Sequence, residues 1–275
     1  MTLLEKSDVL PALFACWDDI ERLLTAVPDV LWKSPTPLPG WCVHDVVAHV
    51  IGTESMLAGI PTPEADIDTS TLDHVRNRIG EMNECWVRHL GGEAADEMLQ
   101  RFRSVTATRR DMLTAMSDEE WNAMTATPAG PDTYGRFMRV RVFDCWMHEQ
   151  DIRDALSRPS TDADLGTSAA RLAMDEIAAS MGFVVGKLGK APDGSRVAIE
   201  LTGPLARTIA VAVNGRAQVV DDFDAAPTTT IRMDGLQFSR LGGGRPMTTA
   251  RSAAIEFDGD AEIGRRIVDN LAYVI

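Results

Sequence analysis

Cysteine is scarce in this chain of 275 residues: Cys16, Cys42, Cys85 and Cys145 are scattered over the first 145 residues and form no C-x-x-C pair. That usage argues against a disulfide framework and for reduced thiols. Basic residues are also few, with 27 Lys+Arg against 41 Asp+Glu and a formal net charge of −14. An excess of acid repels phosphate backbones and anionic lipid, so neither nucleic acid nor a membrane surface is expected as a partner. No apolar run approaches the roughly 18 residues that a membrane-crossing helix needs. The opening Met-Thr-Leu-Leu-Glu-Lys lacks the basic-then-apolar order of a secretory signal, and a cytoplasmic location is expected. G-x-S-x-G and G-x-G-x-x-G are both missing, which leaves a hydrolase elbow and a nucleotide loop without support.

The chain is long enough for two domains with separate cores. The first half reads as helices. Leu10, Leu13, Phe14, Trp17, Ile20, Leu24 and Val27 recur at helical spacing behind a cap at Ser7 or Asp8. Three prolines in Ser34-Pro-Thr-Pro-Leu-Pro-Gly40 then forbid a helix, and a second helix starts at Cys42 with Asp45 placed to bond back to the cap. Its buried stripe is Val43, Val46, Val50 and Leu57, with His49 beside it. Further helices are expected near 71–90 and 93–116, and a long one over 133–156.

Past Pro159 the periodicity changes. A helix near 166–188 precedes alternating runs at 197–201, 209–213 and 218–220, with Asn214-Gly215 predicting a type I′ hairpin. Strands at 228–233 and 254–257 and a helix over 261–273 complete an α+β half with an antiparallel sheet. The boundary falls in the polar 157–164 stretch, giving domains of 1–160 and 161–275.

Chemistry concentrates in Arg141-Val-Phe-Asp-Cys-Trp-Met-His148-Glu-Gln-Asp151. Asp144 and His148, at i and i+4, lie about 5–6 Å apart on one helix face, within reach of a single divalent cation. His49, from a facing helix, would be a third ligand. Two imidazoles and a carboxylate leave a position open, as in a catalytic zinc site. The same residues also permit a core histidine and a local ion pair with no metal. His148-Glu149 does not begin H-E-x-x-H, because residue 152 is isoleucine. Asp151 is either a partner that orients a ligand histidine or a polar residue near the helix end. Cys145 turns about 100° away from Asp144 and suits a buried thiol. His44, His74 and His89 read most simply as solvated.

Leu38-Pro-Gly-Trp-Cys-Val-His-Asp-Val-Val-Ala-His49, the later Asp144-x-x-x-His148-x-x-Asp151 and a sheet-bearing second half containing Gly244-Arg245 resemble the mycothiol-dependent maleylpyruvate isomerase family. The resemblance implies a DinB-like four-helix bundle that binds a divalent metal, usually zinc, and a C-terminal domain similar to sterol carrier protein two (SCP2-like). By position it makes His49, Asp144 and His148 the ligands. The family carboxylate is usually glutamate and the helix cap threonine, where this chain has Asp144 and Cys42. The implied partners are small molecules: mycothiol, activated as a metal-bound thiolate, and an electrophilic substrate that is either isomerised or becomes S-linked. Arg245, Arg141 and Arg136 are candidates to meet an anionic substrate, and Arg245 the one assigned a catalytic and cofactor-binding role. A non-enzymatic small-molecule or lipid-binding protein, with a structural or degenerate metal site, is the alternative.

Overall fold

The structure, a computed structural model, describes residues 1–246 and 254–274. Two compact units result, Met1–Ser160 and Thr161–Val274. The first holds α1 (Lys6–Leu24), α2 (Asp29–Trp32), α3 (Val43–Leu57), α4 (Arg78–Leu90), α5 (Ala95–Ala115), α6 (Asp118–Trp121) and α7 (Tyr134–Ala155), with a small ribbon of β1 (Met124–Thr125) and β2 (Asp132–Thr133) before α7. Helices α1, α3, α5 and α7 form a four-membered bundle: α1 packs on α5 and α7, and so does α3, while α4 covers the outside of α3.

Apolar spacing and caps explain these elements. On α1, Val9, Leu13, Cys16, Trp17, Ile20 and Leu24 are all buried. The helix begins slightly earlier than its expected cap, at Lys6, because the Glu5 carbonyl already accepts from the Val9 amide. The Cys42 amide donates to Asp45 Oδ2 at 2.9 Å, the back-bond expected at the start of α3. The helix expected over 71–90 starts only at Arg78: Asn77 Oδ1 accepts from the amides of Ile79 and Gly80 and caps the helix there. Thr133 caps α7 by accepting from the Arg136 amide.

The second unit comprises α8 (Asp162–Leu165), α9 (Ser168–Phe183) continued by a π turn (Val184–Leu188), β3 (Arg196–Thr202), β4 (Arg207–Asn214), β5 (Arg216–Val220), β6 (Thr229–Asp234), α10 (Gly235–Gly242), β7 (Glu256–Gly259) and α11 (Ala261–Asp269). The expected α+β architecture is present, and its sheet runs β5-β4-β3-β6-β7. It is not antiparallel throughout. After β5 the chain crosses back to the far side of β3, so β6 pairs with β3 in parallel, Ile199 opposite Ile231. The Asn214-Gly215 turn is not type I′ either. Gly215 alone has left-handed backbone (φ 65°), while Asn214 stays in the ladder opposite Arg216.

Gly52 fixes how closely α4 approaches α3, because a Cβ there would lie 2.3 Å from Trp86 Cγ. Gly52→Ala is therefore expected to force the helices apart and cost about 1–3 kcal/mol as an overpacked core. A lowered urea midpoint in the unfolding of the helical unit is the measurement that checks it.

Candidate metal centre

The loop before α3 and the facing surfaces of α3 and α7 build one polar cluster in the bundle. His49, on the second turn of α3, is buried, and its Nε2 lies 3.2 Å from Asp144 Oδ2 on α7. One turn further along α7, His148 Nε2 is 3.5 Å from Asp144 Oδ1. One ligand atom from each of the three residues falls within 4.8 Å of the others, which brings together the three residues expected from the sequence. The imidazole centroids are 4.8 Å apart and nearly perpendicular. The Asp144 side chain is 28% exposed where both imidazoles are buried, so the cluster opens to solvent on its carboxylate side.

Neighbouring groups fix this geometry. Asp151 Oδ2 lies 3.1 Å from His148 Nδ1; Asp151 is buried and thus an orienting partner, not a frayed helix-end polar group. The Asp151 contact at Nδ1 fixes the ring so that Nε2 faces Asp144. His49 Nδ1, by contrast, is buried without a partner among the described residues. Burial dominates the His49 imidazole and holds its pKa below the ordinary histidine value, although Asp144 pulls the other way. At His148 burial also favours the neutral ring, but Asp144 and Asp151 together outweigh it and raise the pKa. The Asp144 carboxyl, which burial alone would raise, is held well below the usual carboxylate range by Arg141 and the two histidines.

Trp41 covers the imidazoles from the side, its ring centroid 5.4 Å from His49 and 6.4 Å from His148. Gly40, with φ 83°, turns the chain so that the indole enters, and a Cβ there would meet His74 Nδ1 at 3.0 Å. The indole Nε1 donates to Glu84 Oε1 at 2.6 Å, and the same oxygen lies 2.7 Å from His74 Nε2. His74 is thus paired rather than freely solvated. His44 is buried, its Nε2 lying 3.1 Å from the Glu93 carbonyl, while His89 is exposed as expected.

Two residues of this region gave no warning as site residues: Glu54 on α3 and Arg109 on α5. Both are fully buried. Arg109 Nε donates to Glu54 Oε2 at 3.0 Å, and Arg141 Nε donates to Glu54 Oε1 at 2.9 Å. Arg141 Nη1 then donates to Asp144 Oδ2 at 2.5 Å. The available signal was phase, since Glu54 follows Val50 by four residues along an apolar stripe. Arg141, 3% exposed, is therefore committed to these carboxylates and is not a cation free to meet substrate. Arg136 lies 3.7 Å from Asp132. Arg245, in the second unit, is buried and its Nη1 donates to the Gly243 carbonyl at 2.6 Å.

A family model for the mycothiol maleylpyruvate isomerase N-terminal domain matches residues 13–153, and one for the MDMPI C-terminal domain matches residues 171–263. The chain belongs to the mycothiol-dependent maleylpyruvate isomerase family. Crystal structures of the mycothiol-dependent maleylpyruvate isomerase and of a mutant of it share the fold, with TM-scores of 0.60 and 0.59 at 14% and 15% identity. Each alignment covers 92% of this chain and 98% of the other. Two uncharacterized proteins of Mycobacterium tuberculosis, from strains CDC 1551 / Oshkosh and ATCC 25618 / H37Rv, are each 25% identical over 236 residues. Those alignments span 82% of this chain and 86% of each relative. Among the described residues, no helix is long and apolar enough to cross a membrane.

Glu54→Leu would leave two guanidinium groups buried beside each other with one counter-ion missing. Breaking a buried pair in this way costs about 3–5 kcal/mol. Chemical denaturation should show that loss for Glu54→Leu and a clearly smaller one for His49→Ala.

Proposed function

We propose that the chain is a metal-dependent enzyme that uses mycothiol as its nucleophile, with His49, Asp144 and His148 holding the metal ion. The observation that carries this reading is the convergence of two imidazoles and one carboxylate on a common point that is open on one side. Two nitrogen donors and one oxygen donor suit zinc, and three protein ligands leave a coordination position for a reactant. The donor set fits in other respects. His49 is kept in the neutral form that ligates and Asp144 in the charged form, while Asp144 and Asp151 favour a proton on His148 that a bound cation would have to displace. Ligation through Nε2 places the His49 proton on Nδ1 without a partner, a cost that the bound cation must offset.

When bound, the metal ion supplies acidity, so that a coordinated thiol is a thiolate at neutral pH. The remaining work falls to the chain. Trp41 shields the imidazoles from water on one side, and Asp151 keeps His148 Nε2 directed at the site. The protein's own thiol near the site is unsuited to attack: burial above all pushes the Cys145 pKa up to about 12, beyond what Arg141 offsets. Cys145 is also fully buried, which supports an external thiol as the nucleophile. Addition of a thiolate to the conjugated double bond of a maleylpyruvate-like cis diacid would turn that bond into a rotatable single bond of an enolate, and expulsion of the same thiolate after rotation would give the trans isomer. An electrophile that retains the sulfur gives S-transfer. Arg245 remains the arginine proposed to bind an anionic group of thiol or substrate, which it would have to do from a buried position while Nη1 donates to the Gly243 carbonyl.

Metal analysis tests the ligands. His49→Ala and His148→Ala should each lose bound zinc while remaining folded, and full metal content in both variants would refute the assignment. Cobalt-substituted protein tests the nucleophile: mycothiol should add a sulfur-to-metal absorption band, and glutathione a weaker one. A protein that holds no exchangeable metal would point instead to a binding protein with a degenerate site.

Arg245→Ala addresses the anion site. Loss of a charge-assisted hydrogen bond costs about 1.5–3 kcal/mol, so mycothiol affinity should fall roughly ten- to a hundredfold at unchanged zinc content. Titration at matched metal occupancy measures it, and equal affinities would make Arg245 structural.

A further inference from the structure

Asp144 is a short side chain on one helix, and something must hold its carboxylate toward a point shared with a histidine from another helix. Arg141, one turn earlier on α7, does this from a fixed position. Its Nη1 donates to Asp144 Oδ2, its Nε and Nη2 both lie 2.9 Å from Glu54 Oε1, and Nη2 also reaches Cys145 Sγ at 3.5 Å. Every nitrogen of the guanidinium therefore has a partner. Glu54 is fixed in turn, because its other oxygen accepts from Arg109 Nε. Arg109 is itself held by the Leu57 carbonyl at 3.4 Å and the Tyr134 hydroxyl at 3.0 Å. Two guanidinium groups and two carboxylates alternate along this chain, so the charges balance.

We propose that Arg141 is the positioning residue for Asp144: clamped by Glu54 and Arg109, it holds Oδ2 and thereby fixes the plane of the carboxylate between His49, which faces Oδ2, and His148, which faces Oδ1. The inference rests on the metal reading above and adds to it. Asp144 Oδ2 takes the bond from Arg141 and lies 3.2 Å from His49 Nε2, whereas Oδ1 has His148 Nε2 beside it at 3.5 Å. Arg141 is buried, so it cannot turn to water, and a planar fork restricts the carboxylate plane as a single ammonium would not. Groups that hold a metal-binding carboxylate in this way commonly contribute ten- to a hundredfold to metal affinity.

The test is a Co²⁺ titration of metal-free protein, followed by visible absorption, on the wild type, Arg141→Lys and Glu54→Gln. Arg141→Lys keeps the charge that the buried cluster needs but cannot reach Glu54 and Asp144 with a rigid fork. Its Co²⁺ affinity should fall roughly ten- to a hundredfold and its absorption envelope should change, at unchanged helical circular dichroism. Glu54→Gln, which loosens the grip on Arg141 without altering its shape, should weaken binding several-fold and covers the case in which Arg141→Lys does not fold. Unchanged affinity and spectrum in folded variants would overturn the proposal, since a purely structural arginine moves neither. Tighter binding would also overturn it, by showing that Arg141 competes for the carboxylate. A wild type that binds no Co²⁺ would instead remove the metal reading itself, which keeps the two failures distinct.

Discussion

Glu54 sits in the middle of the helical unit between two guanidinium groups, with no solvent contact. A buried carboxylate loses several kcal/mol of hydration on folding, and only close, well-directed partners offset that loss. Arg109 comes from α5 and Arg141 from α7, so the requirement ties three helices to one point. Their mutual rotation is restricted, because a turn of any helix would strand a buried charge. Apolar packing would tolerate small slips; this pairing does not.

The polar cluster takes its shape from that restriction. Arg141 passes the constraint to Asp144, Asp151 applies a second one to His148, and the Trp41 indole, anchored on Glu84, applies a third from the α4 side. Functional side chains are precise only when the groups behind them are immobile. Here the groups behind them are buried and hydrogen-bonded, while the carboxylate side stays open. That combination of a rigid back and an open front suits a site that must admit a small molecule.

The second unit follows different physics. Its sheet is mainly antiparallel and built on Val, Ile and Leu alternation, with one parallel contact created by the crossover from β5 to β6. Its arginine of interest, Arg245, follows Gly244, whose φ of 72° turns the chain just past α10. A left-handed residue at that point sends the backbone back across the end of the helix, and the Arg245 amide donates to the Arg240 carbonyl at 2.8 Å.

Local regularities were legible in the sequence because they are repeated many times along each element. The stripe of α1, the cap of α3 at Cys42, the span of α7 and most strands follow from periodicity and turn chemistry. So did the grouping of Asp144 with His148, which helix geometry alone dictates. The start of α4 was obscured by a short 3-10 turn at Thr69–Thr71, where the helix was expected to begin, and the parallel pairing of β6 by the absence of any local signal for the direction in which a strand is entered. Glu54, Arg109 and Arg141 could not be connected from sequence, because charges 32 or more residues apart carry no mark of whose partner they are. Their pairing depends on how three helices are rotated in the bundle, a tertiary property. The sequence determined most of the elements and named the three candidate ligands; the packing of the bundle decided which charges meet, and through them where Asp144 points.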